Sequence, residues 1–176
     1  GLVEHDADEI WAAVVSTVNA VISRVGRENV IAIGITNQRE TVVAWSRSTG
    51  QPHGRAIVWQ DRRTADECAR LEQNGLLPMV RERTGLVLDP YFSGTKYARM
   101  LRDRSIPIDG DLALGTIDSW VIWKLTDGAV HATDPTNASR TMLYNIRDHH
   151  WDNDLCDAIG VPASALPVVL PSSGRF

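Results

Sequence analysis

The sequence predicts a mixed α/β domain in which a sheet is flanked by helices, and three observations carry that expectation. A stretch near the N-terminus repeats apolar residues at helical spacing, the run NVIAIGIT at 29–36 is apolar and β-branched on both alternating faces, and two strand-like runs between 41 and 60 flank a group of turn residues. Helical and strand signals interleave through the rest of the 176 residues, without repeats, low-complexity stretches or an obvious linker, so one domain is expected.

The first element opens on the acidic cap region DADEIW and places Ile10, Val14, Val18 and Val21 at helical spacing before Gly26 stops it. Residues 29–36 follow, patterned as a strand covered on both sides. The runs TVVAW and AIVWQ, separated by the turn signals Thr49 to Pro52, predict a β-hairpin. RTADECARLEQNG resumes a helical period that Gly75 ends, LLPMVRERTG gives a second short helix, and TKYARMLRD a third. DLALGTIDSWVIWKLT reads as a short strand or turn leading into a helix. TDGAVHATDPTNASRTML is expected to be a glycine-turned hairpin or a long loop before DNDLCDAIG.

A chain of this length buries roughly 70% of the surface its unfolded form exposes, so a real core is expected. The 43% hydrophobic and 23% charged content is that of a globular protein. Lys and Arg number 18 against 22 Asp and Glu, a net charge of −4 with no dense basic run, which argues against a nucleic-acid partner. The two cysteines, Cys68 and Cys156, suit neither a disulfide framework nor a zinc site. With no signal peptide and no long apolar span, the expected compartment is the cytoplasm and no membrane partner is expected.

Most sequence-readable chemistries are missing. There is no Walker loop, no G-x-G-x-x-G, no G-x-S-x-G elbow, no H-E-x-x-H and no H-R-D loop. His149 and His150 beside Asp152 and Asp154 lack metal-loop spacing, and neighbouring positions in a regular element point apart, so no metal site is read there. Asn137-Ala138-Ser139 fits a turn capped by its own side chains better than a glycosylation site. Cys68, mid-helix with no activating base beside it, reads as a packed thiol.

The apolar run at 29–36 ends abruptly in Asn37, Gln38, Arg39 and Glu40. In open α/β sheets ligands bind beyond the carboxyl ends of strands. Arg39 offers only donors and Glu40 only acceptors, and the hydroxyls of a small polyol need both; the alternative is a salt bridge within the loop. Trp59 ends AIVWQ in the same way, and its ring face suits the C–H face of a polyol, although a place in the core would suit it too. Tyr91, bracketed by Asp89-Pro90 and Ser93-Gly94, is placed to present its hydroxyl at a cleft.

Six segments in order, VEHDADEIW, GITNQRET, AIVWQDRR, TGLVLDPYFSGTK, WVIWKLTDG and TDPTNASRTMLYNI, together resemble the FGGY family of carbohydrate kinases over essentially the whole chain. The resemblance implies a ribonuclease-H-like, actin- and hexokinase-like mixed sheet with flanking helices. It implies phosphorylation of glycerol by MgATP to sn-glycerol 3-phosphate, with Arg39 and Glu40 hydrogen-bonding glycerol, Trp59 walling its slot and Tyr91 completing it. Another sugar substrate within the family, or a non-catalytic binding module on the same fold, are the alternatives.

The family also carries a strand with a D-Q-G-T-T loop ahead of these segments, and a G-D-Q segment with the general base and a nucleotide domain after them. None of these lies within 1–176, and Leu2 stands where the family usually has Trp. The expectation is therefore that residues 1–176 form part of the N-terminal domain and are inactive alone. No catalytic residue, metal ligand or ATP-binding residue is assigned within them. Sheet edges and an apolar face left open should favour association with another copy.

Overall fold

The computed structural model describes residues 1–174. In chain order the elements are β1 (Glu4–His5), α1 (Ala7–Val25), β2 (Val42–Ser46), β3 (Ala56–Ile57), α2 (Ala65–Gln73), α3 (Leu77–Thr84), α4 (Ser93–Asp103), β4 (Leu112–Thr116), α5 (Ile117–Leu125), β5 (Ala132–Thr133), α6 (Pro135–Ala138), β6 (Tyr144–Asn145), β7 (His150–Trp151), α7 (Asn153–Ile159) and β8 (Val168–Val169). The main sheet has the order β1-β3-β2-β4, all antiparallel.

Its backbone is the five-residue ladder of β2 and β4, running from Val42 opposite Thr116 to Ser46 opposite Leu112. Alternate side chains of a strand leave on opposite faces, and here both faces are covered. Val42, Ala44, Leu112 and Leu114 join an aliphatic core with Tyr97, Met100 and Leu101 of α4 and Leu155 and Ile159 of α7. Val43, Trp45 and Ala113 join an aromatic core with Ile117, Trp120 and Trp123 of α5 and Ala7 of α1. The two-sided burial expected of residues 29–36 is thus found at 42–46 and 112–116.

Residues 29–36 themselves are not a strand. Asn29 closes a short 3-10 turn, its amide donating to the Gly26 carbonyl and that of Val30 to the Arg27 carbonyl; past these two bonds the backbone has no ladder partner among the described residues, and Ile31 is 99% exposed. β propensity needs a neighbouring strand to become structure, and no strand of the main sheet pairs with this run. The stripe of α1 is left open in consequence. Its caps are as read, with Asp6 accepting from the Asp8 and Glu9 amides and Gly26 at φ 81°, but only Ala7 is fully buried and Ile10 and Val14 are half-buried. No described helix is long and apolar enough to cross a membrane.

The hairpin at 41–60 forms as β2 and β3, joined at Val42–Ile57 and by a bridge between Trp45 and Pro52. The expected hairpin or loop at 126–143 is neither: β5 pairs in parallel with β8, and α6 follows it. Two-residue strands more than thirty positions apart in sequence leave no periodic signal to read. The third helix begins at Ser93, two residues before the periodic run.

A histidine packs against the aromatic core. His131 Nε2 lies 2.9 Å from the Leu114 carbonyl, and its ring meets Trp45 edge-on at 5.1 Å. Burial, with help from the nearby Arg47 charge, pulls the imidazole down to about 4, against the pull of that carbonyl. Between about pH 6.5 and 4 the unfolded chain therefore binds a proton that the folded chain refuses. Stability present above pH 6.5 is lost as pH falls, by about 3 kcal/mol at most. Urea denaturation at pH 7 and pH 4 measures this, and His131→Gln is expected to shrink the difference.

Candidate functional site

Residues 37–40 leave the exposed run and turn into β2. Asn37 Nδ2 donates to Asn137 Oδ1 at 3.0 Å and reaches Asp118 Oδ1 at 3.4 Å, while Gln38 Nε2 pairs with His5 Nδ1 at 3.1 Å. These two are joints that fasten the turn. Asp118 is almost wholly buried, and burial raises its pKa against hydrogen bonds from the Thr116 and Thr133 hydroxyls.

Glu40 has φ 63°, a left-handed conformation that costs free energy in a residue with a Cβ, and it is 2% exposed. Its Oε1 accepts from Arg140 Nε at 2.7 Å. The loop salt bridge between Arg39 and Glu40 is absent: Arg39 is exposed and has no hydrogen-bond or ion-pair partner among the described residues. It lines a cavity of about 330 Å³ together with Asn37, Asp118, Asp134 and Asn137.

Trp59 is tied to the same turn, since its amide donates to the Thr41 hydroxyl at 3.3 Å. Its ring meets Tyr91 edge-on at 5.5 Å, and Tyr91 meets Phe92 at 5.4 Å. Neither the Tyr91 hydroxyl nor the Trp59 indole N–H has a partner among the described residues. Tyr91 is held from behind. Its amide donates to Asp89 Oδ1 at 2.8 Å, and the Lys96 ammonium donates to the Pro90, Tyr91 and Phe92 carbonyls at 2.5 to 3.0 Å. Burial pulls Lys96 down to about 7, against the charges of Glu40, Asp61, Cys68 and Asp89.

Arg140 closes the arrangement, with its guanidinium 4.9 Å from the Phe92 ring centre and 5.7 Å from that of Tyr91. Glu40, Trp59 and Tyr91 are therefore linked through Arg140 and Thr41, while Arg39 opens onto the adjoining cavity. Glu40, Tyr91 and Trp59 present an oxygen acceptor, a phenolic donor, an indole donor and half-buried rings, with the Arg39 guanidinium facing the cavity beside them. That set matches a small neutral molecule with vicinal hydroxyls on a short carbon chain.

Sequence reasoning did not single out Arg140 or Lys96. Each lay inside a quoted segment; Arg140 is explained by Glu40 one hundred residues away, and Lys96 by the carbonyls four to six residues before it. Asn137, 8% exposed, donates to Asp134 while accepting from Asn37, so its place is that of a turn fastened by its own side chains. Cys68 is buried against the Thr95 hydroxyl, and burial raises its pKa. Asp152 and Asp154 are engaged by Arg83. Among the described residues no group of three His, Cys, Asp or Glu could hold a metal ion.

Residues 1–176 match the N-terminal domain of the FGGY family of carbohydrate kinases. The glycerol kinase of Aeromonas hydrophila subsp. hydrophila is 55% identical over 179 aligned residues, which cover 98% of this chain and 36% of that protein. The glycerol kinase of Bradyrhizobium diazoefficiens is 52% identical over 182 residues, covering all of this chain and 36% of that protein. Among solved structures, Plasmodium falciparum glycerol kinase with ADP superposes with a TM-score of 0.89 at 34% identity, over 96% of this chain and 35% of that one. The sheet and its helices are thus part of the actin- and hexokinase-like fold, and the chain spans 36% of the length of those two curated relatives.

Proposed function

Because the chain belongs to the FGGY family of carbohydrate kinases, we propose that residues 1–176 are the polyol-holding part of a kinase that phosphorylates glycerol with MgATP to sn-glycerol 3-phosphate. The observation that supports this most is the Glu40–Arg140–Tyr91–Trp59 assembly, with its free acceptor oxygen, free phenol and half-buried rings. In this reading Glu40 accepts from one hydroxyl, Arg39 and Tyr91 donate to others, and Trp59 lies along the carbon chain.

The described residues do not fit the nucleotide or its metal, for they hold neither a glycine-rich phosphate cradle nor a ligand cluster. ATP and Mg2+ are therefore assigned to the rest of the polypeptide, and no step is routed through them here. What this segment contributes is position: a hydroxyl held still in a part-dry slot meets the phosphoryl group at far lower entropic cost than a free one. The proposal also places the protein in the cytoplasm, apart from nucleic acid and membranes. It includes homo-oligomer formation, which the exposed Val21, Val25, Ile31 and Ile33 support.

The test is a substrate profile of the full-length polypeptide with MgATP. Glycerol is expected to be the preferred acceptor; preference for a pentulose or a sugar acid would move the assignment within the family, and no transfer to any of them would leave a binding module. Purified residues 1–176 alone are expected to show no glycerol-dependent ATP turnover and to sediment above monomer mass. Measurable turnover by the isolated chain would refute the division of labour.

A further inference from the structure

We propose that Arg140 is the positioning residue of this site, fixing the Glu40 carboxylate and the Tyr91 ring relative to each other so that a single Glu40 oxygen faces the ligand. The inference rests on the polyol reading above.

Three observations meet at this side chain. Arg140 Nε donates to Glu40 Oε1 at 2.7 Å, which leaves Oε2 as the oxygen without a protein partner among the described residues. The same guanidinium lies over Phe92 and Tyr91, so one rigid plane touches both the acceptor and the aromatic half of the slot. The backbone that delivers Arg140 is itself pinned. Its amide donates to the Asn137 carbonyl at 3.0 Å, and the carbonyl of Thr141 accepts from Gly94 at 2.7 Å.

That last contact explains why a glycine stands at 94. A Cβ there would meet the Thr141 carbonyl oxygen at 2.8 Å, so the start of α4 and the Arg140 loop approach each other backbone to backbone. α4 starts directly after Tyr91 and Phe92, so the loop that carries Arg140 is fastened, backbone to backbone, to the helix that follows the Tyr91 turn. Glu40, in its left-handed turn and almost without exposure, has little freedom to find another partner.

Lysine cannot replace arginine in this role, because an ammonium lacks the planar fork that holds a carboxylate while lying on a ring. In the full-length polypeptide Arg140→Lys is expected to raise the glycerol KM about tenfold and Arg140→Ala about fiftyfold. kcat and the KM for ATP should stay within about threefold. Methylguanidinium added to Arg140→Ala is expected to restore part of the glycerol affinity, which a merely structural role would not allow. Glu40→Gln is measured alongside, alone and combined with Arg140→Lys, and the double variant should be little worse than Glu40→Gln.

If Glu40→Gln itself leaves the glycerol KM unchanged, the polyol reading falls and this inference with it. If Glu40→Gln raises KM while both Arg140 variants do not, or if the two effects simply multiply, the polyol reading stands and the positioning role is overturned. Should Arg140→Ala fail to fold, Arg140→Lys and Gly94→Ala, which displaces the Thr141 carbonyl, carry the same comparison.

Discussion

Glu40→Ala in the full-length polypeptide is expected to raise the glycerol KM about thirty- to a hundredfold, with the KM for ATP nearly unchanged. A hydrogen bond to a charged group contributes about 1.5–3 kcal/mol, and every 1.4 kcal/mol is a factor of ten. Glu40 lies at the upper end of that range for two reasons. It is almost fully buried, so water cannot take the place of its carboxylate. Its loss also leaves Arg140 without a partner beside two aromatic rings, so the change removes an acceptor and strands a cation at once. Arg39→Ala should raise the same KM by a smaller factor, about tenfold, because its exposed guanidinium is replaced by water at less cost. Initial-rate kinetics over a wide glycerol range measure both, and unchanged values in both variants would remove the pair from the site.

Lys96→Met is expected to destabilise the fold by about 3 kcal/mol, read by urea denaturation. A buried ammonium is costly, which alone would make its removal favourable, but this one serves three successive carbonyls that methionine cannot serve. Stranded carbonyls at about 1–3 kcal/mol each outweigh the relief. The pH dependence separates the two effects. With its pKa pulled to about 7 from 10.5, Lys96 is charged in both folded and unfolded chains below pH 7, and its burial cost is then at its full size. Between about pH 7 and 10.5 the unfolded chain binds the proton more tightly, so stability rises with pH in that window. The rise should disappear in Lys96→Met.

What could be read from the sequence was whatever is local. Helix α1 announced itself through Asp6, its apolar spacing and Gly26, and the β2–β3 hairpin through alternation on either side of a turn. Residues 29–36 carried a stronger strand pattern than β2, yet pattern records only what a segment prefers, and pairing depends on which strand lies beside it. The parallel contact of β5 with β8 was hidden for the same reason.

The candidate site divides along the same line. Arg39, Glu40, Trp59 and Tyr91 could be picked out because each sits where an apolar run or a turn hands over to polar residues. Arg140 meets Glu40 across one hundred residues, and the positive φ of Glu40 leaves no mark on composition. Lys96 serves three carbonyls only because the turn before α4 curls them back over its ammonium, a geometry that composition does not record.

The packing of Trp45 and Trp123 against His131, with Trp120 against Trp45, has an optical consequence. Three of the six indoles are locked in a dry cluster behind the sheet, where their emission follows unfolding and proton uptake by the imidazole. Trp59 alone borders the phenol of Tyr91, so a small, separately coloured fraction of the intrinsic fluorescence looks into the slot while the rest looks at the fold.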